Sequence, residues 1–203
     1  GLGRTLTAEA IVELLDAFEG PCVVDADALN MLASLPPPLI SRRSAVAGGD
    51  KGGWPIHDPH RVVLTPHPGE ARRLLDAFGI SKAIDSTPHS RRAAACARVE
   101  ATGCTIVLKG HGTVVTNGDR IYTNETGNAG MATAGTGDVL TGVIAALIGQ
   151  HMPPFEAAVL GVYLHGLAGD FAAEELGRHA MTALDVMDYL PEAFIEHEAA
   201  ASS

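Results

Sequence analysis

The sequence predicts an α/β fold with a mostly parallel sheet and helices on both faces of the sheet. Short runs of β-branched residues alternate with longer segments of helical apolar spacing, which is typical of strand–helix–strand units. Several of these runs end in polar clusters, as strands do at the ligand-binding edge of an open sheet. The 203 residues, 46% of them hydrophobic, suffice for one core. We therefore expect a three-layer arrangement in a single domain spanning residues 1–203.

The first helix and the first strand have clear boundaries in the sequence. Thr7 is a typical N-cap residue, and Gly20-Pro21 stops the helical spacing that follows it. The strand at 22–24 comes next and ends in Asp25-Ala26-Asp27. A second helix follows, and the three prolines at 36–38 end it.

Two further strands are predicted at 61–64 and 104–108, and helices at 69–78 and 86–102 separate them. Residues 41–60 are rich in Gly, Arg, Asp and His without periodicity, which predicts an exposed loop or insertion. The helices between these strands provide the long crossover connections that parallel strands need.

The last third of the chain is predicted to contain a hairpin and then helices. Residues 114–116 and 120–123 pair across Asn117-Gly118, the dipeptide that favours a type I′ turn. Helices are predicted at 138–148, 154–176 and 183–190. The first of these is apolar nearly all round, so we expect it to be buried.

Composition excludes several classes of partner. Fourteen basic and twenty-four acidic side chains give a net charge of -10, which opposes binding to nucleic acid. The longest apolar run, Val139 to Gly149, is well short of the roughly 18 residues of a membrane helix. The three cysteines form no CxxC pair, which suits a cytoplasmic protein and predicts no metal site.

Polar residues follow three of the predicted strands, and we expect them at one edge of the sheet. They are Asp25, Asp27 and Asn30 after the first strand, Thr65, His67 and Glu70 after the second, and Lys109 after the third. Asp25 and Asp27 point to opposite faces if the strand continues, so at most one faces a ligand, and the other is a candidate cap of the next helix. His67 lies between two prolines that would hold its imidazole in place; a surface histidine is the alternative. Glu70 fits an ordinary first-turn acid.

The segment Lys109–Thr113 has two interpretations. One lysine charge, two glycines that expose backbone N–H groups and a hydroxyl make it a candidate phosphate-binding turn. The alternative is a solvated lysine beside a tight turn.

The segment Gly127–Asp138 is the most informative part of the chain. It consists mostly of small residues and runs directly into a helix, whose first-turn N–H groups form an anion site. An acid at position 138 would repel a phosphate unless it accepts a proton or meets a cation. The alternative is that Asp138 is only an N-cap or first-turn acid. The dinucleotide fingerprint and the P-loop motif are both absent. His165, on an apolar helix, is interpreted as a packing residue.

Five motifs together resemble the ADP-dependent NAD(P)H-hydrate dehydratase family. They are Val24–Asn30, Leu64–Ala71, Leu108–Gly110, Gly127–Gly142 and Gly161–Asp170, in family order. The Gly-Thr-Gly-Asp core at 135–138 alone indicates the wider ribokinase-like superfamily. The resemblance implies a ribokinase-like fold and a repair enzyme that dehydrates the S epimer of hydrated NADH or NADPH (NADHX or NADPHX). ADP is the implied co-substrate, with release of AMP and phosphate, and Mg²⁺ is the implied ion at the phosphates.

The resemblance also implies roles for individual residues. Asp138 would be the catalytic proton acceptor and a substrate contact. Further substrate contacts would come from Gly1, Gly3 and His67. Nucleotide-binding residues would be Lys109, Gly110, His111, Gly112, Thr113 and Gly137. Supporting site residues would be Asp25, Asp27, Asn30, Asn128 and Gly135.

Relatives of this kind carry a further N-terminal portion, so the resemblance implies that part of the domain precedes Gly1. It also implies a homo-oligomer such as a tetramer, and cooperation with a separate NAD(P)H-hydrate epimerase. Two departures stand out. Ala129 replaces a usual proline, and Leu184 replaces a serine that is frequent near the C-terminus.

Two other functions stay open at this point. A ribokinase-like kinase of a vitamin precursor would share the fold, and it would transfer phosphate to a stable alcohol. An inactive fragment that only binds nucleotide is the non-enzymatic alternative, because the chain does not begin with Met.

Overall fold

The computed structural model describes residues 7–35, 56, 58–80 and 87–202. Most of the insertion at 41–60 lies outside these residues. The chain forms two compact units. The first contains Gly1–Gly110 and Val114–Tyr122, and the second contains His111–Thr113 and Thr123–Ser203. The single domain expected from the sequence stays a prediction.

The first unit contains a five-stranded mixed sheet in the order β1-β2-β3-β4-β5. Its strands are β1 (Cys22–Val24), β2 (Val62–Leu64), β3 (Thr105–Leu108), β4 (Val114–Thr116) and β5 (Ile121–Thr123). The last residue of β5, Thr123, is counted with the second unit. The first three are parallel, with Val24 opposite Leu64 and Leu64 opposite Ile106. β4 pairs antiparallel with β3. The mostly parallel sheet is therefore confirmed.

Four helices of this unit begin close to their predicted positions. They are α1 (Ala8–Ala17), α2 (Asp27–Ala33), α3 (Pro68–Ala77) and α4 (Pro88–Thr102). Thr7 caps α1 by accepting a hydrogen bond from the Ala10 N–H at 3.3 Å. Thr87 caps α4 in the same way, and Gly103, at φ +72°, ends α4.

Both faces of the central strands are buried. On one face Val24, Leu64 and Ile106 belong to a core that also contains apolar residues of all four helices. On the opposite face Val63 and Val107 have no exposed surface. Burial on both faces is what the three-layer arrangement requires.

The hairpin between β4 and β5 turns one residue later than predicted. A type I′ turn needs positive φ at both central residues, and among the described residues of this hairpin only Gly118 has it, at +96°. The predicted Asn117-Gly118 type I′ turn is therefore wrong. Asn117 lies at the start of the turn instead, where its Oδ1 accepts a hydrogen bond from the Arg120 N–H at 3.0 Å.

The second unit is helical. It contains α5 (Thr136–Gly149), α6 (Pro154–Leu176), α7 (Ala183–Asp188) and α8 (Leu190–Ala201). Leu164, Ala168 and Ala172 of α6 form a core with apolar residues of α7 and α8. Within the described part of the chain, no helix has the length and hydropathy needed to cross a bilayer.

The helix before Gly149, which is expected to be buried, is buried on one face only. Its buried residues are Thr136, Leu140, Val143, Ile144, Leu147 and Ile148. The opposite face is exposed and consists of Gly142, Ala145, Ala146 and Gly149. These small residues expose little apolar surface, so the helix tolerates water on that side.

Candidate functional site

The carboxyl ends of β1 and β3 carry a charged pair. Lys109 Nζ lies 2.7 Å from Asp25 Oδ1, and the two side chains are only 18% and 9% exposed. β2 lies between these two strands. Just beyond the end of β2, the Pro66 carbonyl oxygen accepts a hydrogen bond from the Lys109 N–H at 2.9 Å. Two of the residues predicted for one sheet edge are thus in direct contact.

Asp27 has a different place. It is the first residue of α2, it is exposed, and the N-cap position belongs to Ala26, which caps nothing with its side chain. The prediction that one of the two aspartates caps this helix is therefore wrong. The helix begins one residue earlier than expected because Ala26 turns the chain, with φ 52° and ψ -123°. A carboxylate at Asp27 still interacts favourably with the positive end of the helix dipole.

Asn30 lies within α2 and binds a neighbouring helix. Its Oδ1 accepts a hydrogen bond from Arg73 Nε at 2.7 Å, and Arg73 belongs to α3. Asn30 therefore connects two helices in this structure, and a contact of its amide with a ligand stays a prediction.

His67 and Glu70 form a capping box at the start of α3. His67 Nδ1 accepts a hydrogen bond from the Gly69 N–H at 2.9 Å, and Glu70 Oε2 accepts one from the His67 N–H at 2.9 Å. His67 Nε2 lies 3.4 Å from Glu70 Oε1. Because Nδ1 accepts, a neutral ring carries its proton on Nε2. The helix-starting role of Glu70 is confirmed, while substrate contact by His67 stays a prediction.

Arg91 fixes the backbone beside Lys109. Its Nη2 donates to the carbonyl oxygens of Leu108 at 3.0 Å and Lys109 at 3.1 Å. Burial lowers the pKa of Arg91. A Cβ at Gly110, where φ is +135°, would lie 3.1 Å from both terminal guanidinium nitrogens. Glycine at 110 therefore permits this close approach.

The unit boundary divides the predicted phosphate-binding turn. Lys109 and Gly110 belong to the first unit, and His111, Gly112 and Thr113 to the second. His111 is exposed, Gly112 has φ +61°, and the Thr113 carbonyl oxygen accepts a hydrogen bond from the Asn124 N–H at 2.8 Å. Their binding of a nucleotide stays a prediction.

The glycine-rich loop, Gly127–Gly135, is held by α6 of the second unit. Asp170 Oδ2 accepts a hydrogen bond from the Gly127 N–H at 2.7 Å, and Oδ1 accepts one from Asn128 Nδ2 at 2.9 Å. Asn128 Nδ2 also donates to the Gly169 carbonyl oxygen at 2.8 Å. Its Oδ1 accepts from the Gly130 N–H at 2.9 Å. Asn128, a predicted site residue, thus shapes the loop.

Two glycines of α6 allow the segment around this loop to approach closely. A Cβ at Gly166 would lie 2.2 Å from Thr126 Oγ1, and a Cβ at Gly169 would lie 2.3 Å from Met131 Sδ. Any side chain at these positions would displace the chain. Sequence reasoning missed the role of Asp170, although the spacing Gly166, Gly169, Asp170 on one helix was a usable signal.

α5 begins at Thr136 because Gly135, at φ +93°, turns the chain into it. Asp138 is the third helical residue and is exposed, and no side chain caps the helix. The alternative of Asp138 as N-cap is therefore wrong, and its place is in the first turn. The N–H groups of this turn have no acceptor within the helix, which makes its end a suitable anion site.

His165, on α6, contacts the first turn of α5. It is buried, and its Nε2 lies 2.9 Å from the Thr136 carbonyl oxygen, to which a protonated Nε2 donates. The prediction of a packing histidine is confirmed.

The model of the NAD(P)H-hydrate dehydratase family matches residues 1–192. The chain belongs to the NAD(P)H-hydrate dehydratase family.

The curated relatives that the chain matches carry names of the same family. The chain is 47% identical over 193 residues to a bifunctional NAD(P)H-hydrate repair enzyme of Moorella thermoacetica, covering 94% of this chain and 32% of the relative. It is 41% identical over 178 residues to the ADP-dependent (S)-NAD(P)H-hydrate dehydratase of Neisseria meningitidis, covering 87% of this chain and 54% of the relative. The chain thus spans about a third to a half of the length of the curated relatives that it matches.

Solved structures confirm the ribokinase-like fold predicted from the sequence. An ADP/ATP-dependent NAD(P)H-hydrate dehydratase of Bacillus subtilis, co-crystallised with ATP and Mg²⁺, has a TM-score of 0.71 at 28% identity; the match covers 94% of this chain and 61% of that one. A ribokinase-like superfamily protein of Enterococcus faecalis has a TM-score of 0.68 at 26% identity, covering 97% and 60%.

Proposed function

We propose that the protein catalyses the ADP-dependent dehydration of the S epimer of hydrated NADH and NADPH, restoring the reduced nucleotide and releasing AMP and phosphate. The observation that carries the proposal is the glycine-rich loop of a family member leading into the first turn of α5, with the Asp138 carboxylate exposed there. A relative described as ADP-dependent supports ADP as co-substrate.

The chemistry follows from the leaving group. Hydroxide leaves poorly, whereas a phosphorylated hydroxyl leaves readily. Asp138 would accept the proton of the substrate hydroxyl while the hydroxyl oxygen bonds to the terminal phosphorus of ADP and the bond to AMP breaks. The C–O bond then breaks with release of phosphate, pushed by the lone pair of the ring nitrogen. Loss of a proton from the neighbouring ring carbon to water then restores the double bond of the reduced nucleotide.

The other residues would bind and orient the reactants. N–H groups at Gly135–Gly137 would stabilise charge on the transferring phosphoryl group, and Lys109–Thr113 with Gly137 would bind the nucleotide. His67 would contact the substrate. Gly1 and Gly3, the other proposed substrate contacts, lie outside the described residues.

Mg²⁺ would neutralise phosphate charge during the transfer. Within the described part of the chain, no cluster of three or more His, Cys, Asp or Glu residues is arranged to hold a metal. The residues present therefore fit an ion that is held mainly by phosphate oxygens and water, which is the usual preference of Mg²⁺.

The proposal extends to the compartment, the partner enzyme and the assembly of the protein. We expect a cytoplasmic protein, since the three cysteines are free thiols. The bifunctional relatives support cooperation with an NAD(P)H-hydrate epimerase. A symmetric homo-oligomer such as a tetramer would give a single mass several times the 21.0 kDa of the chain in light scattering.

The test is recovery of NADH absorbance when the protein is incubated with hydrated NADH, ADP and Mg²⁺. We expect NADH, AMP and phosphate in equal amounts. No recovery beside an active control dehydratase would refute the proposal. Phosphorylation of a stable vitamin-precursor alcohol would instead identify a kinase, and ADP-induced thermal stabilisation without turnover would identify a binding fragment.

A further inference from the structure

The contact between Asp25 and Lys109 joins two strands that are not neighbours. Asp25 follows β1 and Lys109 follows β3, and β2 separates them. Two strand spacings amount to roughly 10 Å, and the Nζ–Oδ1 distance is nevertheless 2.7 Å. The two side chains together bridge the distance between the ends of β1 and β3.

Both ends of Lys109 are held in place. Arg91 donates to its carbonyl oxygen and to that of Leu108, which fixes the direction of the peptide. Asp25 holds the ammonium group, and both charged side chains are largely shielded from water. An exposed lysine samples many rotamers, whereas the ion pair and the low exposure of both side chains restrict this one.

We propose that Asp25 is a positioning residue that holds the Lys109 ammonium ready for a nucleoside diphosphate. The inference rests on the proposed function, in which Lys109 binds ADP. An ammonium has three N–H donors, so Lys109 can donate to a phosphate oxygen while Asp25 accepts one of the other hydrogens. Ordering the side chain before the ligand arrives reduces the entropy lost on binding.

Four variants test the inference by isothermal titration with ADP and Mg²⁺. Lys109→Met is expected to weaken ADP binding about tenfold, the value of one charge-assisted hydrogen bond. Asp25→Asn is expected to weaken it about fivefold by releasing the lysine. The double variant is expected to bind ADP as Lys109→Met does, because Asp25 acts only through Lys109. Asp25→Glu keeps the charge and should recover most of the affinity.

The matched control is Asp76→Asn. Asp76 also pairs with a basic residue of the first unit, Arg72, but at 3.9 Å and with both side chains mostly exposed. Removing this surface pair should leave ADP affinity unchanged.

Each other outcome has a definite meaning. Unchanged affinity in Lys109→Met would refute the nucleotide-binding role of Lys109 in the proposed function. Weakened binding in Lys109→Met but not in Asp25→Asn would overturn the positioning role alone. A further loss in the double variant would overturn it too, since Asp25 would then act independently of Lys109.

A second measurement uses the wild-type protein, so it does not depend on whether an Asp25 variant folds. In wild-type protein labelled with ¹⁵N, the Lys109 ammonium should give a slowly exchanging NMR signal before ADP is added, assigned by its loss in Lys109→Met. ADP should shift that signal. A signal that is visible only after ADP is added would show that the nucleotide, not Asp25, orders the lysine, and would overturn the inference.

Discussion

The two candidate anion sites, one in each unit, are built from different materials. At the strand ends of the first unit, a charged side chain is held by an opposite charge, as Lys109 is by Asp25. In the second unit, the glycine-rich loop offers backbone N–H groups and is held by close packing of glycines on α6 and by Asp170. The first site depends on an ion pair, and the second depends mainly on the close packing of glycines. Different substitutions should therefore damage the two sites.

The largest effect is expected at Asp138, the exposed acid in the first turn of α5. Asp138→Asn removes the proposed proton acceptor and should lower kcat about 10²- to 10⁴-fold, while ADP affinity stays nearly constant. Single-turnover kinetics with ADP titrations would measure both. The matched control, Asp188→Asn, changes an exposed acid at the end of α7. Retained turnover in Asp138→Asn would exclude the proton-acceptor role.

The dependence of the loop on shape is tested at Gly166. The added methyl of Gly166→Ala would meet the side chain and backbone of Thr126 at 2.2–2.8 Å, so we expect a loss of about 3 kcal/mol in the free energy of unfolding. Denaturant titration measures it.

Gly142→Ala is the control, since a Cβ there has nothing within 4 Å; it should be neutral or stabilising by about 0.5–1 kcal/mol. Equal effects of the two substitutions would show that close packing on α6 does not support the loop.

A smaller effect is expected at Asp170, where the loop does use a charge. Asp170→Asn weakens acceptance from Gly127 and Asn128 and should cost about 2 kcal/mol. Hydrogen exchange of the amides at 127–130 should accelerate, because these groups lose their fixed geometry. Glu174→Gln, an exposed change one turn further along α6, should leave their exchange unaltered. If exchange in Asp170→Asn matches wild type, Asp170 does not hold the loop.

The smallest effect concerns the backbone beside Asp25. Ala26 has positive φ without being glycine, a conformation that costs an L-residue about 1–3 kcal/mol. Ala26→Gly should relieve part of that cost and stabilise the protein by about 0.5–1 kcal/mol after the added chain entropy is counted. Thermal unfolding would measure it.

Ala145→Gly, in an exposed position inside α5, should have the opposite sign and destabilise by about 1 kcal/mol. Destabilisation by both substitutions would mean that the turn at Ala26 carries no strain.

Most of the fold was predictable because its signals are local. Thr7 and Thr87 mark helix starts by their own side chains, and the apolar runs before Asp25 and Lys109 mark strands. The position of these polar residues at one edge of the sheet was also predictable, because parallel strands have their carboxyl ends at the same edge. The direct contact of Asp25 with Lys109 was not, because it depends on strand order and on a lysine rotamer.

The errors arose where local patterns were incomplete. Asn117-Gly118 is a strong turn signal, but the positive φ of Gly118 serves equally well at the first central position of a turn that begins one residue later. The apolar helix α5 was expected to be buried, yet apolar character does not distinguish large from small residues, and only the large ones are buried. Asp170 went unrecognised because its partners at Gly127 and Asn128 are more than 40 residues away in sequence.

The glycine-rich loop and the helix that supports it are synthesised at different times. The Gly127 N–H and the Asp170 carboxylate are 43 residues apart, so the ribosome completes the loop well before it adds the helix that supports it. At about 5–20 residues per second, the nascent loop waits on the order of seconds for its partner. We therefore expect the glycine-rich loop to acquire its final form only after α6 has been synthesised.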